Sequence, residues 1–455
     1  MSILNVNKIN PVGGGSTITI AGIASVTNNI SVGNSVTAGS FVGPIEGAVT
    51  GNVTGNVTGN ADTASGLSGN PSINTTGIVT ATSFVPTAGQ LSHRNIIVNG
   101  AMLVAQRGTS STTNGYGSVD RFQCSFSATD ESPTHTQHTL TSSDTGPYAE
   151  GFRRSFHVQN GNQTGGAGAS DFIRLWHKIE AQDLANSGWN YTSSSSYITL
   201  SFWVKSSVAQ TYYVQMRTGD GTSKMYYFAM NLSANTWTKV THSIPGHADL
   251  TFDSDNGEGI YFAWYTFRGT NNTGTVTANQ WNNYSGSTLT PDQTTTWYTT
   301  NDATYELTGV QLEVGPVATP FEHCSFGEEL TRCSRYLQIF HVPTNNSRRA
   351  SNVTATVHGA GNGVYLNIAF THPMRAAPSL TVDGAFGGNV FTGSWSGDTL
   401  SNYSSEYYTD ALSTLGFHGI TSATISSSRT TGLTGQIYTA NNGSDDAALI
   451  YSAEL

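Results

Sequence analysis

Charged residues are scarce in this chain of 455 residues, where Asp, Glu, Lys and Arg together make up 11% against about 25% in an average globular protein. The net charge is −10 and no basic cluster is present, so binding to nucleic acid through its phosphates is not expected.

The chain also lacks a run of about 20 apolar residues, so no segment is expected to be embedded in a membrane. The opening residues MSILNVNKIN carry no signal-peptide pattern, which favours synthesis in a reducing cytosol without export.

Cysteine is equally sparse, with only Cys124, Cys324 and Cys333. The last two are nine residues apart, which is not the spacing of a metal site, so reduced structural thiols are expected. No Gly-rich phosphate loop and no G-x-S-x-G nucleophile elbow stands in the required strand-to-helix context. We therefore expect neither a metal nor an organic cofactor.

Gly, Ser, Thr, Asn and aromatic residues take the place of the missing charges. With 20 Tyr, 19 Phe and 8 Trp, the chain does not have the composition of a disordered protein. The mixture is typical of β-strands joined by many turns. An all-β fold is therefore predicted, and the length leaves room for two or three domains.

The stretch GAVTGNVTGNVTGNA, residues 47–61, repeats with a period of four. Four is twice the period of a strand, so an extended chain would place Val49, Val53 and Val57 on one face. Alternatively, each V-T-G-N unit turns the chain, because Gly and Asn tolerate positive φ. Neither arrangement gives a single chain an apolar core, so the valines need partner chains unless the stretch is a flexible linker.

The surrounding residues favour assembly over a linker. The phrase at 36–42, VTAGSFV, returns at 79–85 as VTATSFV, and internal repetition is typical of stacked or wound architectures. The first 92 residues contain two Phe and no Trp or Tyr, which would make a poor core for one chain. We predict a homotrimer whose shaft core consists of Val49, Val53 and Val57 around a threefold axis.

From Asn95 to about Phe321 the chain is rich in aromatic residues and in strand-like runs separated by turns, the spacing of an antiparallel sandwich. The clearest strand-like runs are 196–207, 211–219, 223–233, 236–244 and 259–269. Consecutive apolar residues in the last run predict a strand buried on both faces. The run 173–188 is interpreted as a strand that turns into one short helix near 181–185.

Residues 327–336, GEELTRCSRY, are the best helix candidate, with Glu328 and Glu329 in the first turn where they suit the helix macrodipole. Further strand-like runs follow, including GVYLNIAF at 363–370. Their spacing predicts a second, smaller β-sandwich at the C-terminal end.

Several phrases of the sequence resemble the receptor-binding region of bacteriophage tail fibre proteins. They are NIIVNGAMLVAQRGTS (95–110), VDRF (119–122), SFWVKSS (201–207) and GVQLEVGPVATPFEHCSFGEELTRCSRY (309–336). FTHPMRAAPSLTV (370–382) resembles the opening of the distal domain that often follows. GNVTGNVTGNADTASGL (51–67) is similar to shaft segments of fibres from phages of marine bacteria, cyanobacteria especially. The VQLEVG…ATPFEH phrase is the most specific of these.

The resemblance implies an elongated trimeric fibre with a central jelly-roll-like β-sandwich of carbohydrate-binding-module type. Combined with the composition, it predicts a tail-attachment segment (1–40), a repetitive β shaft (41–94), the central sandwich (95–323) and a C-terminal β-sandwich tip domain (324–455). It also implies a location in the virion, after synthesis in the host cytoplasm. The expected partners are a phage tail or baseplate protein at the N-terminus and a host surface glycan or outer-membrane receptor.

Candidate catalytic carboxylates are few. Asp253, Asp255 and Glu258 are neighbours in FDSDNGEG, and Asp445 and Asp446 lie near the end. Sequence neighbours on a turn are more often solvated acids than a catalytic pair, and Asp253-x-Asp255 lacks the third acid and the distant Glu of a calcium loop. The histidines are scattered, and His135 and His138 are expected in a polar loop without ligand partners. No catalytic residue is therefore assigned.

Sugar binding requires aromatic faces and hydrogen-bonding side chains on exposed loops. The phrases GWNYTSSSS (188–196), NQWNNYSGS (279–287) and SWSGDTLSNYSSEYY (394–408) have this character. The alternative for each ring is packing against its own sandwich or a neighbouring subunit. The candidate ligand-binding residues are Trp189, Tyr191, Trp281, Tyr284, Trp395, Tyr403 and Tyr407.

Three functions remain open on these residues. The leading one is a non-catalytic receptor-binding tail fibre that acts by multivalent adhesion. The second is a polysaccharide-degrading tail spike, and the third is a purely structural tail connector that docks protein rather than sugar.

The repeat at 47–61 makes a testable prediction about mass. We expect light scattering to give about 145 kDa for the full chain, three times its 48.2 kDa, because the valines need sister chains to form a core. A fragment beginning at Asn95 is expected to be a monomer. A monomeric full-length protein would contradict the trimer and favour the interpretation of the repeat as a flexible linker.

Overall fold

The computed structural model describes residues 92–342, 354–358, 363–383, 386–390, 398–406, 418–425, 434–439 and 447–455. The predicted attachment segment and the shaft up to residue 91 lie outside the described residues. The candidates outside them are Val49, Val53, Val57, Trp395, Tyr407, Asp445 and Asp446.

Two six-stranded antiparallel sheets form a sandwich, so the fold of the described chain is mostly β with few helices. The first sheet has the order β1 (Ser110–Ser111), β3 (Thr134–Thr139), β4 (Arg154–Gln159), β12 (Thr304–Val314), β6 (Tyr197–Ser206) and β9 (Thr238–Pro245). The second has the order β11 (Trp281–Asn283), β8 (Lys224–Leu232), β7 (Gln210–Thr218), β10 (Glu258–Arg268), β5 (Phe172–Glu180) and β2 (Phe122–Ser127).

The core lies between these sheets and follows the alternation of their strands. In β5, Ile173, Leu175 and Ile179 are buried in it, while Phe172, Arg174, Trp176 and Lys178 on the other face are half-buried. β10 departs from this alternation, because it is buried on both faces from Gly259 to Phe267. That double burial was predicted from its consecutive apolar residues and is confirmed.

The other strands predicted for the central sandwich, and its short helix, are also confirmed. β6 to β9 occupy the four predicted strand runs to within two residues, and β5 turns directly into the short helix α1 (Ala181–Ala185). A second short helix, α2 (Thr296–Thr299), and a 3-10 turn (Thr270–Asn272) lie in the connection between β10 and β12.

The segment that enters the sandwich, residues 95–104, is held against β12 through buried polar groups. Asn95 donates from Nδ2 to the Val310 carbonyl at 3.1 Å and accepts from the Leu312 amide at 3.0 Å. Gly100 packs so tightly here that a Cβ would lie 2.0 Å from the Val310 carbonyl oxygen. Its lack of a side chain is therefore a packing requirement of this contact.

The end of β12 folds back on itself through two further buried side chains. The Gln311 side chain donates to Glu313 and accepts from the Glu322 amide, each at 2.8 Å. Glu313 in turn accepts from the amide and the hydroxyl of Thr319. The VQLEVG…ATPFEH phrase thus forms a hydrogen-bonded turn that satisfies its own buried polar groups.

The predicted helix at 327–336 is observed as α3 (Phe326–Ser334). Its N-terminus is capped by Ser325, whose hydroxyl accepts from the Glu328 amide, a contact typical of helix starts. Glu329 in its first turn is buried and accepts from the Asn99 amide at 2.6 Å. This helix is therefore fastened to the entering segment 95–104.

A buried ionic cluster joins the end of α3 to the second sheet. Glu180, at the end of β5, is fully buried and accepts two hydrogen bonds from Arg335 and one from the Tyr336 hydroxyl. Next to it the buried Arg121 guanidinium stacks 3.5 Å over the Tyr336 ring and pairs with Glu454. These charges are tolerated because each one is paired and hydrogen-bonded.

The strands after α3 differ from the prediction of a second sandwich. β13 (Leu337–Val342), β21 (Ala447–Ser452) and β16 (Ser379–Asp383) form a three-stranded sheet. Six others close into a barrel in the order β14 (Thr354–His358), β15 (Gly363–Ala369), β19 (His418–Ile425), β18 (Asp398–Glu406), β17 (Phe386–Val390) and β20 (Thr434–Thr439). Closure pairs β14 with β20 and leaves no free edge, which strand spacing does not reveal.

Membrane insertion by a helix has no support in the described residues. The longest helix there, α3, has nine residues, and none is long and apolar enough to cross a membrane.

The buried Glu180 makes a prediction about stability. Burial would raise its pKa, but the hydrogen bonds from Arg335 and Tyr336 outweigh burial and hold the pKa below its usual range. The stabilisation is therefore present above the ordinary carboxyl pKa and is lost as pH falls through the lowered value. We expect Glu180→Gln to reduce the free energy of unfolding by about 2 kcal/mol at neutral pH and to flatten its decline in acid.

Glu150→Gln is the matched control for this measurement. Glu150 pairs with Lys239 at the surface, where both side chains are more than a third exposed, so a loss below about 1 kcal/mol is expected. Equal losses for the two variants in urea unfolding would contradict the role given to Glu180.

Candidate functional site

The first predicted aromatic pair lies at one end of the sandwich. Trp189 is only 3% exposed and belongs to the central core, where it packs near Phe252. Tyr191 is half-buried and packs edge-on against the same Phe252, 4.9 Å between ring centroids. The assignment of Trp189 to a ligand surface is therefore corrected, because its ring faces are occupied by the protein itself.

The second predicted pair is divided between two environments. Trp281 of β11 packs edge-on against Tyr226 and donates from its indole to the Pro245 carbonyl at 2.7 Å. Tyr284, three residues on, is half-buried, with the Arg217 guanidinium 3.8 Å from its ring centroid. Tyr284 thus lies at the border of the outer face of the second sheet.

The distal candidates are not brought into a site by the described residues. Trp395 and Tyr407 lie outside them, and Tyr403 lies on β18, for which only the backbone is described. Their role stays a prediction.

The acidic phrase around Asp253 forms a turn between strands. The Asp255 carboxylate accepts from the Gly257 amide at 2.6 Å, and the Asp255 carbonyl accepts from the Gln182 amide at 3.0 Å. Asp220 lies beside this turn, and its pKa is raised by burial and by the neighbouring acids, Asp253 first among them. Within the described ranges, no group of three or more His, Cys, Asp and Glu is arranged to hold a metal ion.

The two histidines expected in a polar loop lie on β3 instead. His135 is fully buried, accepts at Nδ1 from Ser118 at 2.8 Å and donates from Nε2 to the Thr113 carbonyl at 2.9 Å. Burial lowers the pKa of His135. A neutral, fully hydrogen-bonded imidazole of this kind has a structural role.

The outer face of the second sheet carries a cluster that the sequence did not single out. We call it the arginine–aromatic face, and its members come from three adjacent strands and from one flanking loop. They are Phe172, Arg174, Trp176 and Lys178 of β5, Tyr261, Ala263, Tyr265 and Arg268 of β10, Gln215 and Arg217 of β7, and Tyr284.

Strand register aligns this face in rows. Trp176 is opposite Ala263, and Ala263 is opposite Gln215. The row on one side runs Lys178, Tyr261, Arg217, and the row on the other side pairs Arg174 with Tyr265. The small Ala263 therefore has Trp176 on one side and Gln215 on the other, with a tyrosine in the row above and in the row below.

Its aromatic rings form a small apolar cluster separate from the core. Tyr261, Ala263 and Tyr265 are buried, and the half-buried Trp176 packs against them. The Trp176 and Tyr261 rings meet edge to face with centroids 5.2 Å apart. The Trp176 indole donates to Gln123 of the neighbouring strand. These contacts hold the indole in a defined orientation at the sheet surface.

Gln215 organises the polar groups beneath this surface. Its Oε1 accepts from the Tyr265 hydroxyl at 3.1 Å and from the Tyr261 hydroxyl at 3.4 Å. Its amide donates to the Leu289 carbonyl at 2.7 Å, which fastens the loop that carries Tyr284 to the sheet. The loop and the strands therefore share one hydrogen-bonded floor.

Cations lie over the rings of this face. The Arg174 guanidinium is 3.9 Å from the Trp176 ring centroid, and the Lys178 ammonium is 4.7 Å from it. Arg217 lies between the rings of Tyr284 and Tyr261, at 3.8 and 5.8 Å. Arg268 lies 4.5 Å from Phe172. Such contacts leave the donor groups at the edges of the guanidinium free for other acceptors.

This arrangement suits a ligand with both apolar and hydroxyl surfaces. A pyranose ring has C–H faces that pack on aromatic rings and hydroxyls that accept from guanidinium, amide and ammonium donors. A ring that stacked on Trp176 would replace one of the cations now lying over it. The sequence signal for this face is the polar–aromatic alternation F-x-R-x-W-x-K in β5, which becomes informative only once β10 and β7 lie beside it.

A second concave region lies between residues 92–98, α1 and α3. This cleft has a volume of about 880 Å³. Its charged side chains already hold the segments around it together: Arg332 donates to the Asn95 and Ile97 carbonyls, and Arg335 pairs with Glu180. We therefore assign these groups to assembly of the fold rather than to a ligand.

No family model matches the chain, and no curated protein matches it. Among solved structures, a Family 16 Carbohydrate Binding Module-2 matches with 12% identity and a TM-score of 0.18, over 36% of this chain and 77% of its own. A putative sugar binding protein from Bacteroides thetaiotaomicron matches with 10% identity and a TM-score of 0.26, over 48% and 99%.

A third solved structure is the N-terminal CBM22-1-CBM22-2 tandem domain from Paenibacillus barcinonensis Xyn10C. It matches with 11% identity and a TM-score of 0.23, over 82% of this chain and 100% of its own. All three scores are low, so the interpretation of function rests on the side chains of this chain.

Proposed function

We propose that this chain is a non-catalytic carbohydrate-binding protein of bacteriophage tail-fibre type, and that its arginine–aromatic face binds a glycan on the host surface. The observation that carries the proposal is the ordered placement of Trp176, Tyr261 and Tyr284 among hydrogen-bond donors on one sheet face. Rigid aromatic groups ringed by polar donors are the surfaces on which sugars are held.

The resemblance of the sequence phrases to phage fibres supports the tail-fibre part of the proposal. NIIVNGAM and VQLEVG…ATPFEH, far apart in sequence, meet in one hydrogen-bonded unit at β12. Their recurrence as phrases has a physical reason, because each supplies the buried polar partners of the other. They define the scaffold, and the face on the second sheet supplies the proposed specificity.

A fibre would use this face several times at once. One shallow sugar site gives weak binding, but three copies on a trimer and several fibres on a particle raise the avidity by orders of magnitude. Weak single sites also dissociate quickly, so a particle can search a cell surface before it commits.

Binding without cleavage is proposed because the acids near the face are already paired or hydrogen-bonded within the protein. Glu258 pairs with Lys178 at 2.8 Å, and Asp255 accepts from the backbone of its own turn. A retaining or inverting glycosidase needs two carboxyl groups facing each other across a sugar. Release of reducing ends from a bound polysaccharide would favour the tail-spike alternative.

The proposal predicts the effect of removing one ring. We expect Trp176→Ala to weaken binding of the full-length protein to immobilised bacterial surface polysaccharides about tenfold, since a buried aromatic contact typically contributes more than 1 kcal/mol. The measurement is equilibrium binding by interferometry on a polysaccharide panel, with the thermal midpoint as a check on folding.

Trp203→Ala is the matched control, because Trp203 is a half-buried tryptophan on the outer face of the first sheet, where it donates to Glu150. It is expected to leave polysaccharide binding unchanged. Equal effects of the two variants, or no binding of the wild type to any polysaccharide, would contradict glycan binding through this face.

The tail-fibre identity predicts a location. Gold-labelled antibody against residues 95–455 is expected at the tail of the phage particles that contain this chain, and the purified protein should block their adsorption to host cells. Labelling of the tail without any block of adsorption would favour the structural connector, and labelling of the head would overturn the proposal.

A further inference from the structure

Three arginines of the arginine–aromatic face have no carboxylate partner. Arg174, Arg217 and Arg268 form no ion pair with any described residue, whereas Lys205 and Lys239 of the first sheet pair with Glu306 and Glu150. The chain has only 19 Lys and Arg against 29 Asp and Glu. Three arginines without an ion pair are therefore gathered on one face of a protein whose net charge is −10.

Two of these guanidinium groups crowd the same ring. Arg174 lies 5.4 Å and Arg268 lies 4.5 Å from the centroid of Phe172, so both positive charges lie against one ring. The pKa of Arg268 is lowered, first by burial and also by the charge of Arg174. An arrangement that costs electrostatic free energy in the unbound protein is relieved when an anion lies between the charges.

The donors of both groups are also unused. The Nε atoms of Arg174 and Arg268 are buried and have no hydrogen-bond partner. The remaining Arg174 contact, to the Tyr265 hydroxyl, is long at 3.5 Å, and Arg268 forms no hydrogen bond with the described residues. The protein therefore leaves part of the hydrogen-bonding capacity of both guanidinium groups unsatisfied.

The nearby acids leave this positive charge in place. Glu258 is engaged by Lys178, and Asp292 accepts from the Thr273 hydroxyl. Arg217 donates from its Nε to the Ser223 hydroxyl at 3.0 Å. The flat guanidinium fork matches the two oxygens of a carboxylate or sulfate group.

We propose that the ligand of this face is an acidic polysaccharide, whose carboxylate or sulfate groups bind Arg174 and Arg268 while its sugar rings lie against Trp176 and towards Arg217 and Tyr284. The proposal rests on the glycan-binding function above and deepens it by naming the substrate class. The shared chemistry is a planar or tetrahedral oxyanion carried on a pyranose ring.

The test uses three polysaccharides with full-length protein: alginate, which carries uronate groups, dextran sulfate, and neutral dextran. We expect binding to one or both anionic polymers and little to dextran, with affinity that falls several-fold when salt rises from about 50 mM to about 300 mM. The double variant Arg174→Gln, Arg268→Gln should lose at least about tenfold in affinity for the anionic polymers. Alginate against dextran sulfate distinguishes a carboxylate from a sulfate ligand.

Arg154→Gln is the matched control, since Arg154 lies on β4 of the first sheet and donates to Thr139 there. It is expected to bind as the wild type does. The double variant is expected to keep the thermal midpoint of the wild type, because it removes a like-charge contact rather than an ion pair.

Each other outcome overturns a defined part of the argument. Trp176-dependent binding to neutral polysaccharides, unaffected by the arginine variants, would overturn the acidic ligand but keep glycan binding. Equal binding to alginate and to single-stranded DNA of the same charge would show a general anion site in place of a sugar site. Failure to bind any polysaccharide would overturn both proposals.

Discussion

The fold depends on a small set of buried polar contacts that join distant parts of the chain. At the entrance to the sandwich, the Asn95 side chain binds the backbone of β12, and the Asn99 amide donates to the buried Glu329 of α3. Breaking one of these contacts would leave a buried donor or acceptor unpaired, which costs more than the contact contributes when formed. The entry segment, the last long strand of the first sheet and α3 therefore hold one arrangement.

The second sheet also contains buried hydrogen bonds, but they support a surface instead of joining distant segments. Its inner side is apolar and anchors the sandwich, so its outer side is free to carry groups that the core would exclude. Tyr261 and Tyr265 donate their hydroxyls to Gln215, and the Tyr261 ring and the Gln123 side chain hold the Trp176 indole in place. Arg174, Arg217 and Arg268 lie against aromatic rings of this face without a carboxylate partner, whereas Lys178 pairs with Glu258, so the arginines keep hydrogen-bond donors for a ligand.

The buried ionic groups near α3 are paired within the protein. Glu180 is matched by Arg335 and Tyr336, and Arg121 is matched by Glu454. Such buried pairs fasten α3 and the chain end to the sandwich and offer nothing to a partner. The charges of the scaffold and of the proposed site are therefore satisfied differently. The buried groups of the scaffold are paired with each other, whereas Arg174, Arg217 and Arg268 of the proposed site have no carboxylate partner.

Local pattern determined the strands, the turn of β5 into α1, the helix after Ser325 and the double burial of β10, because alternation, capping and apolar runs act between near neighbours. Only the tertiary structure decided that Trp189 lies in the core and Trp176 at the surface, because the sequences around these two residues are similarly rich in aromatic residues. It also decided closure of the distal strands into a barrel, and it brought Phe172, Arg174 and Arg268 together. Strand pairing joins residues nearly a hundred positions apart, and no local pattern encodes which strand lies beside which.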